Sequence, residues 1–309
     1  MSDLAALGAL TRALAEDRAA PPANPTRIRS HGLAPLAYTH GLAAFRPDYA
    51  LSSIRADQQR DIAREAVAIV GRVGIPVFLL KGISYAGWLY ADPAERPMSD
   101  VDLLVRSRDH ARAVDALAQL GFRHAGPGVQ RSPRHHAMTL KRPNASVDLH
   151  RGPTQRGRVA IPMNEVRDRA RPAAWIPGAY RLDELDDLLF HFANLARHDL
   201  IAPLLSFVDA ARMLRRLDAG GRGELRRRAR QWRFERVLEA CITAVENACG
   251  WRAERAGWWL PSRDELLDGA PPWRPVQLGR KLMLIEGPRE LLAFGGAVVD
   301  GWLAARRPH

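Results

Sequence analysis

The periodicity of apolar positions changes several times along the 309 residues, and each change predicts an element. Leu4, Leu7, Leu10 and Leu14 recur at helical spacing behind Ser2 and Asp3, so residues 2–17 read as an amphipathic helix with a polar cap. A Pro-rich break over 20–25 precedes a short apolar helix within 31–45. Ile62, Ala66, Ile69, Val70 and Val73 keep the 3.6-residue period through a helix over 57–73, which Gly74 stops. Period then gives way to apolar runs. Residues 76–80 read as a first strand, 83–90 as a short helix and 98–105 as a second strand. Ser107-Arg108-Asp109 caps a helix to Leu120, and 122–125 is a third strand. After the loop Gly126-Pro127-Gly128, the alternating stretches 136–140 and 146–150 form a hairpin around the turn Lys141–Ala145.

This alternation describes a small α+β core ending near Pro153. Residues 154–180 are basic and punctuated by Pro and Gly, a linker or lid. From Leu182 the pattern is helical: 183–196, 203–217, one or two helices in 224–248, a short one over 280–285, and a last one over 288–306 opened by proline. Between them 261–275 reads as loop, with Trp258, Trp259 and Trp273 predicting packing there. The expected organisation is an N-terminal helical cap (1–50), a catalytic core (51–153), the linker or lid (154–181) and a C-terminal helical domain (182–309).

The net charge of +12 comes almost wholly from arginine, since lysine occurs only at 81, 141 and 281. Such a bias weakens basicity as an argument for nucleic acid; attraction to an anionic nucleotide accounts for it equally well. Cys241 and Cys249 lie eight residues apart on one predicted helix, about 12 Å, too far for a disulfide. They read as small core residues of a reducing compartment. The N-terminus carries an acid where a signal peptide carries a base, and the apolar run 291–299 is too short to cross a bilayer. A cytoplasmic protein without a membrane partner is expected.

The chemistry concentrates in residues 76–105. Asp100 and Asp102, two apart at the head of an apolar strand, project to one face and repel each other, which calls for a cation. Asp148, on the hairpin's return strand, brings a third carboxylate if the strands are neighbours. Three acids with few other donors suit Mg²⁺ or Mn²⁺ rather than Zn²⁺, and fit two-metal phosphoryl or nucleotidyl transfer. Lys81, closing the most apolar strand, would meet a phosphate as a point charge, or else snorkel at the strand end. His150 shares Asp148's face, pointing either into the site or into a hydrogen-bonded core. His135-His136 lack an acid or cysteine at zinc-site spacing. His191 and His198 share a helix face, turned either into the cleft between domains or into the core. Tyr85, Trp88 and Tyr90 fit packing better than base stacking. Gly295-Gly296 follow no strand, which excludes a dinucleotide fingerprint.

Leu80-Lys81-Gly82, Tyr90, Arg96, Ser99-Asp100-Val101-Asp102-Leu103-Leu104-Val105 and Val147-Asp148-Leu149-His150 resemble the bacterial uncharacterised nucleotidyltransferase family of the DNA polymerase β-like superfold. His31-Gly32-Leu33-Ala34-Pro35-Leu36 and the stretch 188–214, with His191, His198 and Asp209, extend the resemblance over about 28–215. It implies transfer of a nucleoside monophosphate from an NTP, ATP by preference, to an acceptor, with release of pyrophosphate. Asp100, Asp102 and Asp148 would hold the metal and do the catalysis. Lys81 and Arg96 would neutralise the triphosphate, and Gly82, Ser84 and Ser99 would sit against the nucleotide. The chain has Lys81-Gly82-Ile83-Ser84 where most of the superfold has Gly-Ser, so the contacts to the phosphates stay open. The resemblance also implies a small-molecule or peptide acceptor. The alternatives are a catalytically silent nucleotide- or partner-binding member and an RNA-directed transferase, which the absence of lysine clusters disfavours.

Overall fold

The computed structural model describes residues 2–125, 135–152, 161–251, 259–288, 291–292 and 295–296. Its helices are α1 (Asp3–Ala15), α2 (Pro25–Ser30), α3 (Ala34–Thr39), α4 (Arg46–Arg72), α5 (Lys81–Tyr85), α6 (His110–Ala118), α7 (Met163–Asp168), α8 (Glu184–Arg197), α9 (Leu204–Arg215), α10 (Ala219–Gln231), α11 (Glu235–Cys249), α12 (Arg263–Asp268) and α13 (Arg274–Met283). Its strands are β1 (Val77–Leu79), β2 (Val101–Leu104), β3 (Arg123–His124), β4 (Ala137–Arg142), β5 (Ala145–His150), β6 (Arg171–Pro172) and β7 (Ala179–Arg181). They form one mixed seven-stranded sheet in the order β3-β4-β5-β2-β1-β7-β6, with β2–β5 and β1–β7 parallel.

Strand alternation sorts the sheet's side chains between two cores. Val77, Leu79, Val101, Leu103, Val147 and Leu149 pack with α4 and α6 residues such as Val67, Val70 and Leu117. Phe78, Leu80 and Leu104 join a second core with α8, α9 and α11. Both faces of the central strands are therefore covered, which explains why β1 reads as a continuous apolar run rather than an alternating one. The same alternation turns Asp102, Asp148 and His150 toward the helical layer, because their neighbours 101, 103, 147 and 149 belong to the other core.

Several expectations change. The N-terminal helices are not a separate cap: Leu7, Leu10, Leu14, Ile28 and Leu36 share one core with α8, α9 and α11. Helix α4 begins at Arg46, not near 57, with Pro47 in its first turn. That half has little apolar period to read, and Leu51 and Ile54 on it are exposed. The described part of the expected linker holds α7 and the β6–β7 hairpin, and β7 extends the sheet beyond β1 through the register Val77↔Ala179. Strands this short, broken by Pro and Gly, leave no alternating signature. The β4–β5 turn is tighter than expected, with Asn144 at φ +60 and Arg142 paired to Ala145.

Residues 261–275 hold α12, begun by a reciprocal capping box between Ser262 and Glu265. Trp273 is exposed rather than packed, whereas Trp258 and most of the expected terminal helix lie outside the described residues. Cys241 and Cys249 are free and buried. Among the described residues no helix is long and apolar enough to cross a membrane.

Candidate active site

In the parallel pair β2–β5, Asp102 is the register partner of Asp148, so two carboxylates stand side by side on the face toward the helices. Asp102 is buried and Asp148 half-buried. One ligand atom from each of Asp102, Asp148 and His150 lies within 4.8 Å of the others, a span one cation can bridge. Asp100 sits in the bend leading into β2 and accepts a hydrogen bond from Ser99 Oγ at 3.2 Å. Burial, followed by the charges of Asp102 and Asp148, pushes its pKa up to about 6.

Asp102 behaves oppositely. Burial works against its charge, but the Lys81 ammonium and the His150 ring outweigh burial and hold it well below the usual carboxylate range. Lys81 Nζ lies 2.6 Å and His150 Nε2 2.8 Å from the same oxygen, Oδ1. The carboxylate only accepts, so Nε2 donates. Burial and Lys81 lower the His150 pKa against the pull of Asp102, and the buried Nδ1 has no hydrogen-bond partner. Lys81 adopts φ +50, a left-handed backbone that a lysine takes only when its surroundings enforce it. It opens α5 two residues beyond β1, and between them the Leu80 amide donates to the Asp102 carbonyl at 3.0 Å.

The donor set fits a hard divalent cation. Asp102, Asp148 and His150 converge with Lys81 as the ammonium on Asp102, and Asp100 lies within the electrostatic reach of both carboxylates, its pKa raised by burial first and then by their charges. His150 adds a nitrogen that the sequence argument left open between cleft and core.

The other expected residues are placed differently. Arg96 is committed to Asp209, with Nη2–Oδ2 at 2.9 Å and Nε–Oδ2 at 3.2 Å. Tyr90 donates to the same carboxylate at 2.5 Å. Ser84 is buried and donates to Asp187 Oδ2 at 3.2 Å. Gly82 leaves room for its neighbours: a Cβ there would lie 2.6 Å from Arg96 Nη1 and 2.8 Å from Met98 Cγ. Ser99 is exposed beside Asp100. His191 bridges Tyr85 Oη at 3.2 Å and the Ser206 carbonyl at 2.8 Å, and serves packing.

Helix α8 supplies what sequence reasoning missed. A small pocket between α8 and the ends of β1 and β5 is walled by Leu80 and Phe190 and lined by Lys81, His150, Asp187 and Asn194. Burial pushes the Asp187 pKa up to about 8 against the Ser84 hydrogen bond, so the carboxyl is neutral at neutral pH, and its Oδ1 is buried without a partner. Asp186, next to it, instead pairs with Arg169 and Arg228. The two acids look alike as helix-opening residues. The available signal was spacing, since Asp187, His191, Asn194 and His198 recur at helical intervals on one face.

A family model described as uncharacterised nucleotidyltransferase matches residues 8–249. The chain belongs to that family. The match takes in the sheet, the acidic pair across β2–β5 and helices α8–α11. Membership supports transferase activity on a nucleoside triphosphate, and the Asp102–Asp148–His150 group is compatible with a metal in that role. No curated protein matches the chain.

Proposed function

We propose that this nucleotidyltransferase moves a nucleoside monophosphate from a Mg²⁺- or Mn²⁺-bound NTP, ATP by preference, to a hydroxyl of a small molecule or peptide, releasing pyrophosphate. The observation that carries the reading is the in-register pairing of Asp102 with Asp148, with Asp100 two residues upstream and Lys81 on the shared face. The sheet with its flanking helices is taken as a polymerase β-like core, and the helical layer over it as the wall against which the acceptor binds.

Asp100, Asp102 and Asp148, with His150 beside them, would hold the divalent cations. Bound there, these would supply charge neutralisation for the phosphates and a lowered pKa for the attacking hydroxyl. Asp148, the least encumbered of the pair, is assigned to the acceptor side, and the Ser99–Asp100 bend to the nucleotide. Lys81 meets phosphate from the strand end. Gly82, Ser84 and Arg96 act behind the site: they fix α5 and the approach to β2 against α8 and α9.

The direct test incubates the protein with Mg²⁺, a small-molecule extract and NTP labelled at either the α- or the γ-phosphate. Label passing from the α-position into a new small molecule, with unlabelled pyrophosphate formed, is the expected result. Transfer of the γ-label alone would make the enzyme a kinase and contradict the reading.

A further inference from the structure

Arg96, the arginine expected at the triphosphate, is paired with Asp209. Helix α8 offers another. Arg197, in its last turn, is half-buried, and its Nη2 donates to Asn194 Oδ1 at 3.0 Å and contacts His198 Nε2 at 3.0 Å. Asn194, to which Arg197 is bonded, lines the pocket that also holds Lys81 and His150. Arg96, Arg212, Arg228 and Arg280 each meet a carboxylate. Among the described residues no carboxylate lies within ion-pair distance of Arg197, and its buried Nε has no hydrogen-bond partner. A guanidinium desolvated without a counter-charge is costly to keep.

Its surroundings show where that charge is directed. Burial depresses the Arg197 pKa, and the fields of Asp102 and Asp148 oppose the depression, so the guanidinium lies within electrostatic reach of the acids. His136 is held neutral first by burial and then by the charge of Arg197, and desolvation followed by Arg197 and Lys81 lowers the pKa of His198, although that residue is exposed. Two fixed cations thus converge on one region amid neutral imidazoles, with the acidic group as their counter-charge. Once divalent cations neutralise those acids, the local balance favours a polyanion.

We propose that Arg197 binds the β- and γ-phosphates of the donor nucleotide, and the departing pyrophosphate, together with Lys81. A planar guanidinium matches the paired oxygens of a phosphate, and the Asn194 hydrogen bond presets its orientation. The helical layer then contributes directly to donor binding as well as walling the acceptor. This inference rests on the nucleotidyltransferase reading above.

Calorimetry distinguishes the two. Mg²⁺-ATP, Mg²⁺-pyrophosphate and AMP are titrated into the wild type, Arg197→Ala, Arg197→Lys and Arg226→Ala, the last a control for net charge on exposed α10. The expected result is at least a tenfold loss of ATP and pyrophosphate affinity in Arg197→Ala, unchanged AMP affinity, partial recovery in Arg197→Lys and no effect in Arg226→Ala. Unchanged melting temperatures show that the variants are folded. A wild type that binds ATP and pyrophosphate no better than Arg197→Ala does would overturn the role of Arg197 and leave the reaction class standing. A folded wild type that binds neither ligand would overturn both.

Discussion

Arg96 and Asp209 join the approach to β2 to helix α9 through an ion pair 2.9 Å long, with the Asp209 carboxylate fully buried. Burial disfavours the Arg96 charge, but Asp209 outweighs it and the guanidinium pKa rises. Tyr90 donates to the other Asp209 oxygen, and the Arg96 guanidinium lies 5.3 Å from the centre of the Tyr85 ring. This network holds the Arg96 guanidinium between the sheet and α9.

Breaking the pair leaves a buried guanidinium uncompensated. Asp209→Asn should therefore lower stability by about 3 kcal/mol. Urea unfolding followed by circular dichroism measures this. A loss below about 1 kcal/mol would mean that the pair is not the clamp between the sheet and α9.

Gly82 is required by the same contact. Its added Cβ would press on Arg96 Nη1 and on the Met98 side chain, both held in place. Gly82→Ala should cost about 1–3 kcal/mol through overpacking, read from the same unfolding curves. Full stability in this variant would show that α5 can shift freely.

How much of this was legible in the sequence differs by residue. The Asp100–Asp102 pair and Asp148 stood out because acids at period two inside apolar strands have few structural uses, and β2–β5 does bring Asp102 and Asp148 together. The order of strands and helices through the hairpin was equally plain. The Arg96–Asp209 pair was not legible because the two lie 113 residues apart, and no local pattern links them. The Ser84–Asp187 hydrogen bond was hidden for the same reason, since Asp187 reaches Ser84 from another layer. Residues 171–181 joined the sheet unseen because two- and three-residue strands carry no period. The N-terminal helices looked separate only because the core they share with α8, α9 and α11 is assembled from distant stretches.

Asp187 makes stability depend on pH. Its folded pKa of about 8 lies above the ordinary carboxyl value of 3.8, so the folded state keeps a proton that the unfolded chain releases. This contribution is fully present below about pH 4, declines as pH rises and is exhausted above about pH 8. Asp187→Asn removes the titration. Its stability relative to wild type should therefore rise between pH 5 and pH 9, as measured by urea unfolding at several pH values. Parallel pH profiles for the two proteins would rule out a neutral Asp187.

Lys81 serves as counter-charge to Asp102 before any metal binds. Lys81→Met should destabilise the metal-free protein by about 2 kcal/mol, as expected when one partner of a largely buried pair is removed. Added Mn²⁺ should raise the melting temperature of this variant more than that of the wild type, because the ion supplies the missing positive charge. Equal shifts in the two proteins would place metal binding away from Asp102.

The central claim is that the acids of β2 and β5 hold metal-bound nucleotide. Its most direct test is calorimetric titration of the four NTPs, with and without Mg²⁺, into the wild type and the Asp100→Asn/Asp102→Asn double variant. The account predicts Mg²⁺-dependent binding of at least one NTP by the wild type and none by the folded double variant. Equal NTP binding by both proteins, or binding indifferent to Mg²⁺, would contradict it.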